Sequence, residues 1–178
     1  APPSLRLGCL PMNLTTERLT GVPLSPETRA DVARVFYNPE AAKTLGGKRA
    51  EEEIERLLDF LIEHWFIHGY GLWAFYLREG GEFVGYCGLK KSFVEGRWRV
   101  EVLYALLPEF WGQGHATEMT REVVRVAFQH YRIPELFAFT VPGNTGSRRV
   151  MEKAGMEYAA DITHAGVPHV LYWKKREV

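Results

Sequence analysis

The chain has 178 residues, of which 46% are hydrophobic and 25% are charged, and these values are typical of one globular domain. Its 22 basic residues equal its 22 acidic residues, so the sequence lacks the basic excess of a dedicated nucleic-acid binder. No apolar run approaches the roughly 18–20 residues that cross a bilayer, so no membrane partner is expected. The two cysteines, Cys9 and Cys87, form no metal or disulfide pattern, which favours a cytoplasmic location.

The first predicted elements are an extension, a strand and a helix. Residues 1–11 are Pro-rich and lack the long apolar stretch of a signal peptide, so we expect a flexible extension before one domain over residues 12–178. A strand is predicted over residues 17–24. Ser25-Pro26-Glu27 then supplies an N-cap, a proline at the first helical position and an acid in the first turn. We expect this helix to end at Asn38-Pro39.

The rest of the chain alternates between periodic apolar patterns and turn residues. A long helix is predicted from about Ala50 to His68, because its apolar residues recur at spacings of three and four. The later elements are predicted as strands over 72–77, 83–90 and 98–107, a helix over 116–131, a strand over 136–141, a helix over 144–154, and strands over 157–163 and 169–174.

The resulting element order, βααβββαβαββ, predicts an α/β (α+β) fold with a mixed, mostly antiparallel, twisted sheet of about seven strands and four helices. The strand–helix–strand unit over residues 98–141 predicts one parallel pair of strands with a right-handed crossover. Ligands tend to bind at the carboxyl ends of such strands, so we expect the functional site there.

A glycine turn leads from one predicted strand directly into a helix, with the sequence Trp111-Gly112-Gln113-Gly114-His115-Ala116. Glycines allow a positive φ and a close approach of the backbone to a ligand. The first N–H groups of a helix have no internal partner and the helix dipole is positive there, so the turn predicts a phosphate or pyrophosphate site. The alternative, that the glycines only shape a turn, stays open at this point. The Walker sequence is absent, and Thr117 stands where Gly-x-Gly-x-x-Gly requires a third glycine.

Residues 108–118, Pro-Glu-Phe-Trp-Gly-Gln-Gly-His-Ala-Thr-Glu, resemble the acyl-CoA-binding motif of the GCN5-related N-acetyltransferase (GNAT) superfamily. They are most similar to the RimJ/RimL-like branch, which acetylates the N-termini of ribosomal proteins. Residues 144–156 resemble a second motif of that branch, and residues 15–19 resemble its first strand. The resemblance covers about residues 13–175. The chain departs from the superfamily pattern at Trp111, where Arg or Gln is usual.

The resemblance implies the GNAT fold and acetyl-CoA as the co-substrate, with its pantetheine between strands that diverge near Leu106 and Leu136. The Leu106 N–H would polarise the thioester carbonyl, and Asn144 would bind the pantetheine amides while it also caps its helix. The implied cofactor-binding residues are Leu103, Tyr104, Leu106, Trp111, Gly112, Gln113, Gly114, His115, Ala116, Thr117 and Asn144. No metal is expected, because the helical pair His64 and His68 has no third ligand nearby.

The reaction requires a base, because an amine attacks a thioester only when it is unprotonated. Glu101 is the first candidate for this role. It lies in the strand that should flank the acetyl group, where partial burial would raise its pKa. The alternatives are that Glu101 faces solvent, or that it pairs with Arg97 or Arg99.

The departing thiolate needs a proton, and Ser147 is the first candidate to supply it, directly or through water. Its alternative role is a hydroxyl that folds back on its own helix. Tyr104 and Tyr158 are competitors for the same task. His115 lies in the glycine turn, so we expect it beside the phosphates rather than at the acetyl group.

The sequence therefore predicts transfer of an acetyl group from acetyl-CoA to a primary amine by direct attack on the thioester. The acceptor stays open between a ribosomal or other protein N-terminus and a small-molecule amine, and its groove is expected from residues 38–70 and 161–169. One alternative is a non-catalytic acyl-CoA-binding regulatory module, which the presence of Glu101 and Ser147 disfavours. Another is a nucleotide-binding protein, which the lack of an acidic ribose partner disfavours. The oligomeric state stays open between monomer and homodimer.

Overall fold

The computed structural model describes residues 11–178, so the predicted extension over residues 1–11 lies almost wholly outside the described residues, as does Cys9. The elements, in chain order, are β1 (Leu14–Thr15), β2 (Leu19–Pro23), α1 (Arg29–Tyr37), α2 (Pro39–Thr44), α3 (Glu51–His68), β3 (Leu72–Leu77), β4 (Phe83–Val94), β5 (Arg97–Leu106), a short 3₁₀ turn (Pro108–Phe110), α4 (His115–Gln129), β6 (Glu135–Thr140), α5 (Thr145–Lys153), β7 (Glu157–His164) and β8 (Val167–Lys175).

The eight described strands form one sheet in the order β1-β2-β3-β4-β5-β6-β8-β7. The pairing of β5 with β6 is parallel and every other described pairing is antiparallel, which confirms the predicted mixed sheet and its crossover through α4. No helix in the described part of the chain is long and apolar enough to cross a membrane.

The predicted counts of strands and helices were slightly wrong, because residues 11–178 contain eight strands and five α-helices. The additional strand, β1, has two residues and is too short to show a periodic pattern. The additional helix, α2, arises because Asn38 both ends α1 and caps a new helix. Its Oδ1 accepts hydrogen bonds from the N–H groups of Glu40 and Ala41, each at 3.0 Å, and Pro39 takes the first helical position.

The first helix begins later than predicted, at Arg29 rather than at the Ser25-Pro26 signal. Residues 25–28 form a turn instead, in which the Ser25 N–H donates to Thr28 Oγ1 at 2.9 Å. Thr28 is buried, and its hydroxyl also reaches the Pro23 carbonyl at 3.2 Å. The Thr28 side chain thus holds the end of β2 to the turn, and the predicted cap, Ser25, bonds to Glu27 instead.

The hairpin of β4 and β5 sets the geometry of the centre of the sheet. Glu95 and Gly96 have φ angles of 51° and 74°, so they form the two-residue turn with two positive φ angles that matches the twist of a hairpin. This turn fixes an uninterrupted register from Val94 opposite Arg97 to Gly85 opposite Leu106.

The two faces of this hairpin pack against different helices. On one face, Tyr86 stacks on Phe36 of α1 with ring centroids 5.5 Å apart. On the other face, the Cys87 sulfur lies 3.8 Å from Thr120 Oγ1 of α4. We call these the α1 face and the α4 face, and consecutive strand residues point to them in alternation.

Candidate active site

A gap opens between β5 and β6 at the carboxyl ends of both strands. Their pairing is restricted to Glu101 opposite Phe137, although β5 continues to Leu106 and β6 continues to Thr140. Beyond Glu101 the strands therefore separate, as the resemblance implied. The edge of β5 that faces the gap has no strand partner in the described structure.

The backbone of β5 presents hydrogen-bonding groups to this gap. The Leu107 N–H donates to the Val84 carbonyl at 2.9 Å, so the odd-numbered residues bond to β4. In an antiparallel pair, alternate residues direct their backbone N–H and C=O groups away from the partner strand. The backbone groups of the even-numbered residues Tyr104 and Leu106 therefore face the gap. Leu103 lies opposite Gly88, and its backbone groups are directed to β4.

The Trp111 indole forms a hydrogen bond within the protein. Its Nε1–H donates to the Leu106 carbonyl at 3.1 Å, and the ring is 42% exposed. The side chain therefore fastens the glycine turn to the end of β5. This contact gives a structural role to the residue that departs from the superfamily pattern, and it occupies the Leu106 carbonyl while it leaves the Leu106 N–H free.

The glycine turn has the backbone that a pyrophosphate site requires. Gly112 and Gly114 have φ angles of 73° and 82°, and Gly114 is the N-cap of α4 without a side-chain cap. The first N–H groups of α4, from His115 to Thr117, therefore have no partner within the helix. A groove of about 580 Å³ opens in front of this helix start. The Gln113 side chain is turned back, since its Nε2 donates to the Glu109 carbonyl at 2.9 Å.

The His115 ring points into the protein and away from this groove. It is 4% exposed, packs edge-on against Phe110 with centroids 6.0 Å apart, and has no hydrogen-bond partner at Nδ1 in the described structure. Burial lowers its pKa, and the charge of Arg18 lowers it further. The ring is therefore a neutral packing group, and only the backbone of His115 belongs to the turn.

Asn144, Ser147 and Tyr104 form one hydrogen-bonded group at the start of α5. Asn144 caps the helix through its Oδ1, which accepts from the Ser147 N–H at 3.1 Å. Tyr104 Oη lies 2.8 Å from Ser147 Oγ and donates to the Ser147 carbonyl at 2.9 Å. Burial raises the pKa of Tyr104, so its hydroxyl keeps its proton. Tyr158, the other competitor, bonds to Asp161 at 2.9 Å on the edge strand β7.

Glu101 is half-buried at the last paired residue before the gap. Ser92 Oγ donates to its carboxylate at 2.6 Å, and Lys90 stands opposite it on β4. Burial raises the pKa of Glu101, while the charge of Lys90 and the Ser92 hydrogen bond offset part of the rise. The alternative pairing with an arginine is not formed among the described residues, and Arg97 and Arg99 lie over the Phe137 ring instead, at 5.7 and 4.2 Å.

The structure places the two candidate proton-transfer groups on opposite faces of the sheet. Glu101 pairs with Lys90, which shares the α1 face with Tyr86. Tyr104 pairs with Cys87, which faces α4. The gap between β5 and β6 lies beside both, so a group held in the gap can be reached from either face.

Four residues of this site were missed by the sequence analysis. Ser92 and Lys90, on the strand beside Glu101, could have been found by counting outward from the Glu95-Gly96 turn. Arg18 and Glu118 lie 100 residues apart and meet beside the glycine turn, where the Arg18 Nε donates to Glu118 at 2.8 Å. No local signal in the sequence indicates that contact.

No group of three or more His, Cys, Asp or Glu residues within the described range 11–178 could hold a metal ion. His64, one member of the helical pair considered from the sequence, has both ring nitrogens engaged. Its Nδ1–H donates to the Tyr70 carbonyl at 2.8 Å, and its Nε2 accepts from the Lys91 N–H at 3.0 Å. His64 is therefore a structural bridge between the end of α3 and β4.

Comparisons with known proteins agree with this geometry. A relative from Aspergillus fumigatus, named FsC-acetyl coenzyme A-N(2)-transacetylase, is 33% identical over 159 residues, which are 82% of this chain and 65% of that protein. An acetyltransferase from Agrobacterium tumefaciens has a TM-score of 0.82 at 22% identity and covers 96% of this chain and 98% of its own. A ribosomal-protein-S5-alanine acetyltransferase from Vibrio fischeri has a TM-score of 0.75 at 16% identity, with 93% and 97% covered. These structural matches show the fold.

The family model described as an acetyltransferase (GNAT) domain matches residues 18–157, which include the glycine turn, the gap between β5 and β6, and the start of α5. The match spans well over half of the chain. The chain therefore belongs to the GNAT family of acetyl-CoA-dependent N-acetyltransferases.

Proposed function

We propose that this enzyme acetylates a primary amine by direct attack on the thioester of acetyl-CoA, with the thioester in the gap between β5 and β6. The observation that carries the proposal is the position of Glu101. It is the last residue of β5 that pairs with β6, so a carboxylate with a raised pKa stands where the gap opens. A group of this kind in a cleft is a candidate general base.

The donor is held by main-chain groups in this proposal. Pantetheine extends along β5 and bonds to the backbone groups of Tyr104 and Leu106 that face the gap. The Leu106 N–H stabilises the negative charge that develops on the thioester oxygen. The Nδ2 of Asn144 remains available to a pantetheine carbonyl, because the helix cap uses only its Oδ1. The pyrophosphate binds the N–H groups at the start of α4.

Glu101 takes the proton from the amine on the α1 face. The amine nitrogen then forms a bond to the thioester carbonyl carbon, and the bond from that carbon to sulfur breaks. Burial brings the pKa of Glu101 closer to that of a base that works near neutral pH. Ser92 supports this role, because its hydroxyl holds the carboxylate in one orientation at 2.6 Å.

The thiolate of CoA receives its proton on the α4 face. Ser147 and Tyr104 share a hydrogen bond of 2.8 Å and border the gap. Tyr104 retains its proton near neutral pH because burial raises its pKa. In this proposal Ser147 supplies the proton, directly or through water, and Tyr104 holds the start of α5 in place through its bond to the Ser147 carbonyl.

The acceptor is a small-molecule amine or a protein N-terminus. The α1 face near Glu101 carries Lys90 and the rings of Phe139 and His164, whose centroids are 4.6 Å apart. This part of the α1 face carries the carboxylate of Glu101 and the ammonium of Lys90, which argues against a polyamine acceptor, because a polyamine would require several carboxylates. The N(2)-transacetylase relative supports a small-molecule acceptor, whereas a ribosomal protein N-terminus is supported by structures that share the fold alone.

The test is a thiol-release assay with acetyl-CoA and a panel of amines that includes amino acids, diamines, an aminoglycoside and peptides with free N-termini. We expect release above the hydrolysis background with at least one class. Thermal shift with acetyl-CoA, CoA and ATP gives the matching binding result, since a ligand stabilises the native state by RT ln(1 + [L]/Kd). Stabilisation by both CoA species without release across the panel would support a binding module instead, and no stabilisation would contradict the proposal.

A further inference from the structure

The glycine turn offers main-chain donors to a pyrophosphate but no cation of its own. His115 is the single ionisable side chain from Trp111 to Ala116, and it is buried with a lowered pKa. Two adjacent phosphates carry about two negative charges, and charge-assisted hydrogen bonds are about twice as strong as neutral ones. A positive side chain at this turn would therefore add substantially to binding.

Arg18, immediately before β2, brings a guanidinium to the turn from a distant part of the sequence. Its Nη1 donates to the Gln113 carbonyl at 2.9 Å. Its Nη2 lies beside Gly114, where a Cβ atom would be 3.4 Å away, and this nitrogen has no hydrogen-bond partner within residues 11–178. Arg18, Gly114 and Thr117 line the same groove of about 580 Å³. The free edge of the guanidinium thus stands at the start of α4.

Glu118 fixes the orientation of this arginine. Its Oε1 accepts from the Arg18 Nε at 2.8 Å, and its Oε2 accepts from the Arg18 N–H at 2.9 Å and from Thr16 Oγ1 at 2.5 Å. Burial alone would raise the pKa of Glu118, but the hydrogen bonds from Thr16 and Arg18 outweigh it and the pKa is lowered. The carboxylate is ionised, and its two oxygens are directed to these three donors.

We infer that Arg18 is a pyrophosphate-binding residue of the acetyl-CoA site, with Nη2 as the donor and Glu118 as the residue that positions it. The inference rests on the proposed placement of the cofactor. It offers a reason why position 111 need not be basic: Arg18 brings a positive charge to the turn from the segment before β2. Arg18 also ties that segment to the Gln113 carbonyl, so ligand binding and the position of the turn are coupled.

The experiment compares Arg18→Gln with the native enzyme on three donors. Acetyl-CoA and its 3′-dephospho form contain the pyrophosphate, whereas S-acetyl-pantetheine ends before the phosphates. For the first two donors we expect KM to rise roughly 10-fold, the loss typical of one charge-assisted hydrogen bond at a partly exposed site, with little change in kcat. For S-acetyl-pantetheine we expect kcat/KM to stay within about twofold of the native value, which a general loss of structure would not allow.

Two further variants complete the design. Arg18→Lys keeps the charge but loses the fork of donors, so its KM should lie between those of the native enzyme and Arg18→Gln. Arg29→Gln is the matched control, because Arg29 is also held by ion pairs, with Glu55 and Asp59 at 2.6 Å each, but joins α1 to α3 outside the groove. We expect Arg29→Gln to leave the KM for acetyl-CoA unchanged.

The inference is overturned if Arg18→Gln leaves the KM for acetyl-CoA unchanged, or if it lowers kcat/KM equally for all three donors. An effect confined to acetyl-CoA and absent with the 3′-dephospho form would also overturn it, because it would assign Arg18 to the 3′-phosphate. Failure of the proposed function looks different, since the native enzyme itself would then release no thiol from acetyl-CoA with any amine.

Discussion

On the α1 face of β5 Glu101 presents a carboxylate, and on the α4 face Tyr104 presents a hydroxyl bonded to Ser147 at 2.8 Å. Burial raises the pKa of both groups. The same physical cause has opposite consequences, because it shifts the carboxylate toward the pKa expected of the proposed base and keeps the phenol protonated as a hydrogen-bond donor to Ser147. Strand alternation thus places the two groups on opposite faces of the sheet while both lie beside one gap.

The largest effect should come from removing Glu101, the proposed base on the α1 face. Glu101→Gln keeps the size and the Ser92 contact but cannot accept a proton, so we expect kcat to fall by about 10²–10⁴ and the rise of rate with pH to flatten. The measurement is the pH–rate profile at saturating acetyl-CoA. Glu79→Gln, in the exposed turn between β3 and β4, is the control and should behave as the native enzyme. An unchanged profile for Glu101→Gln would remove it as the base.

A smaller effect should follow on the α4 face, because a CoA thiolate is a tolerable leaving group. If Ser147 is the donor, Ser147→Ala should lower kcat by more than Tyr104→Phe does, with losses near the lower end of about 10²–10⁴ for the first. Both variants should retain the pH dependence that belongs to Glu101. The reverse order of the two losses in single-turnover kinetics would assign the donor role to Tyr104 instead.

Acid should weaken the bridge that His64 forms between the end of α3 and β4. His64 is buried and neutral, and its pKa is lowered from 6.5 to about 4, chiefly by burial. As the pH falls, the unfolded chain therefore takes up a proton on His64 before the native protein does. The contribution of His64 to the free energy of unfolding is fully present above pH 6.5, and about 3 kcal/mol of it is lost as the pH drops toward about 4. Urea unfolding at several pH values measures this loss.

His64→Gln, with His169→Gln as its control, isolates the contribution of this ring. The first variant should be less stable at pH 7 and should show a shallower loss of stability between pH 6.5 and 4. The control should keep the native slope. Equal slopes for the native enzyme and for His64→Gln would show that other groups cause the acid sensitivity.

The smallest effect should be a displacement of the pH profile. The Ser92 hydrogen bond lowers the pKa of Glu101, so Ser92→Ala should raise that pKa and move the rise of rate to higher pH. The rate well above the new pKa should approach the native rate, because the carboxylate is still present. A shift to lower pH would show that Ser92 acts on Glu101 in some other way.

Much of this arrangement could be predicted from local sequence. The Glu95-Gly96 turn fixes the register of the central hairpin, and the glycines at 112 and 114 adopt the positive φ angles expected of them. Asn144 caps α5 as expected. In each case the deciding interaction lies within a few residues of the signal, so the sequence contains the information directly.

The remainder depends on contacts between distant segments. The Arg18–Glu118 pair joins residues 100 positions apart, and its geometry follows from the contact of the segment before β2 with the first turn of α4. The direction of the His115 ring also depends on tertiary packing. Its place in the glycine turn suggests a ligand contact, but the ring packs inward against Phe110. The roles of Glu101 and Ser147 stay predictions, since they depend on a substrate that only the proposed assays can identify.

The gap between β5 and β6 passes through the sheet, and this has a consequence for the order of events in a catalytic cycle. A donor that lies along the gap and an acceptor that comes from the α1 face would have separate entrances. Both could be present at once in a ternary complex, and neither product would have to leave before the other. The turnover rate would then be limited by the slower of two independent product-release steps.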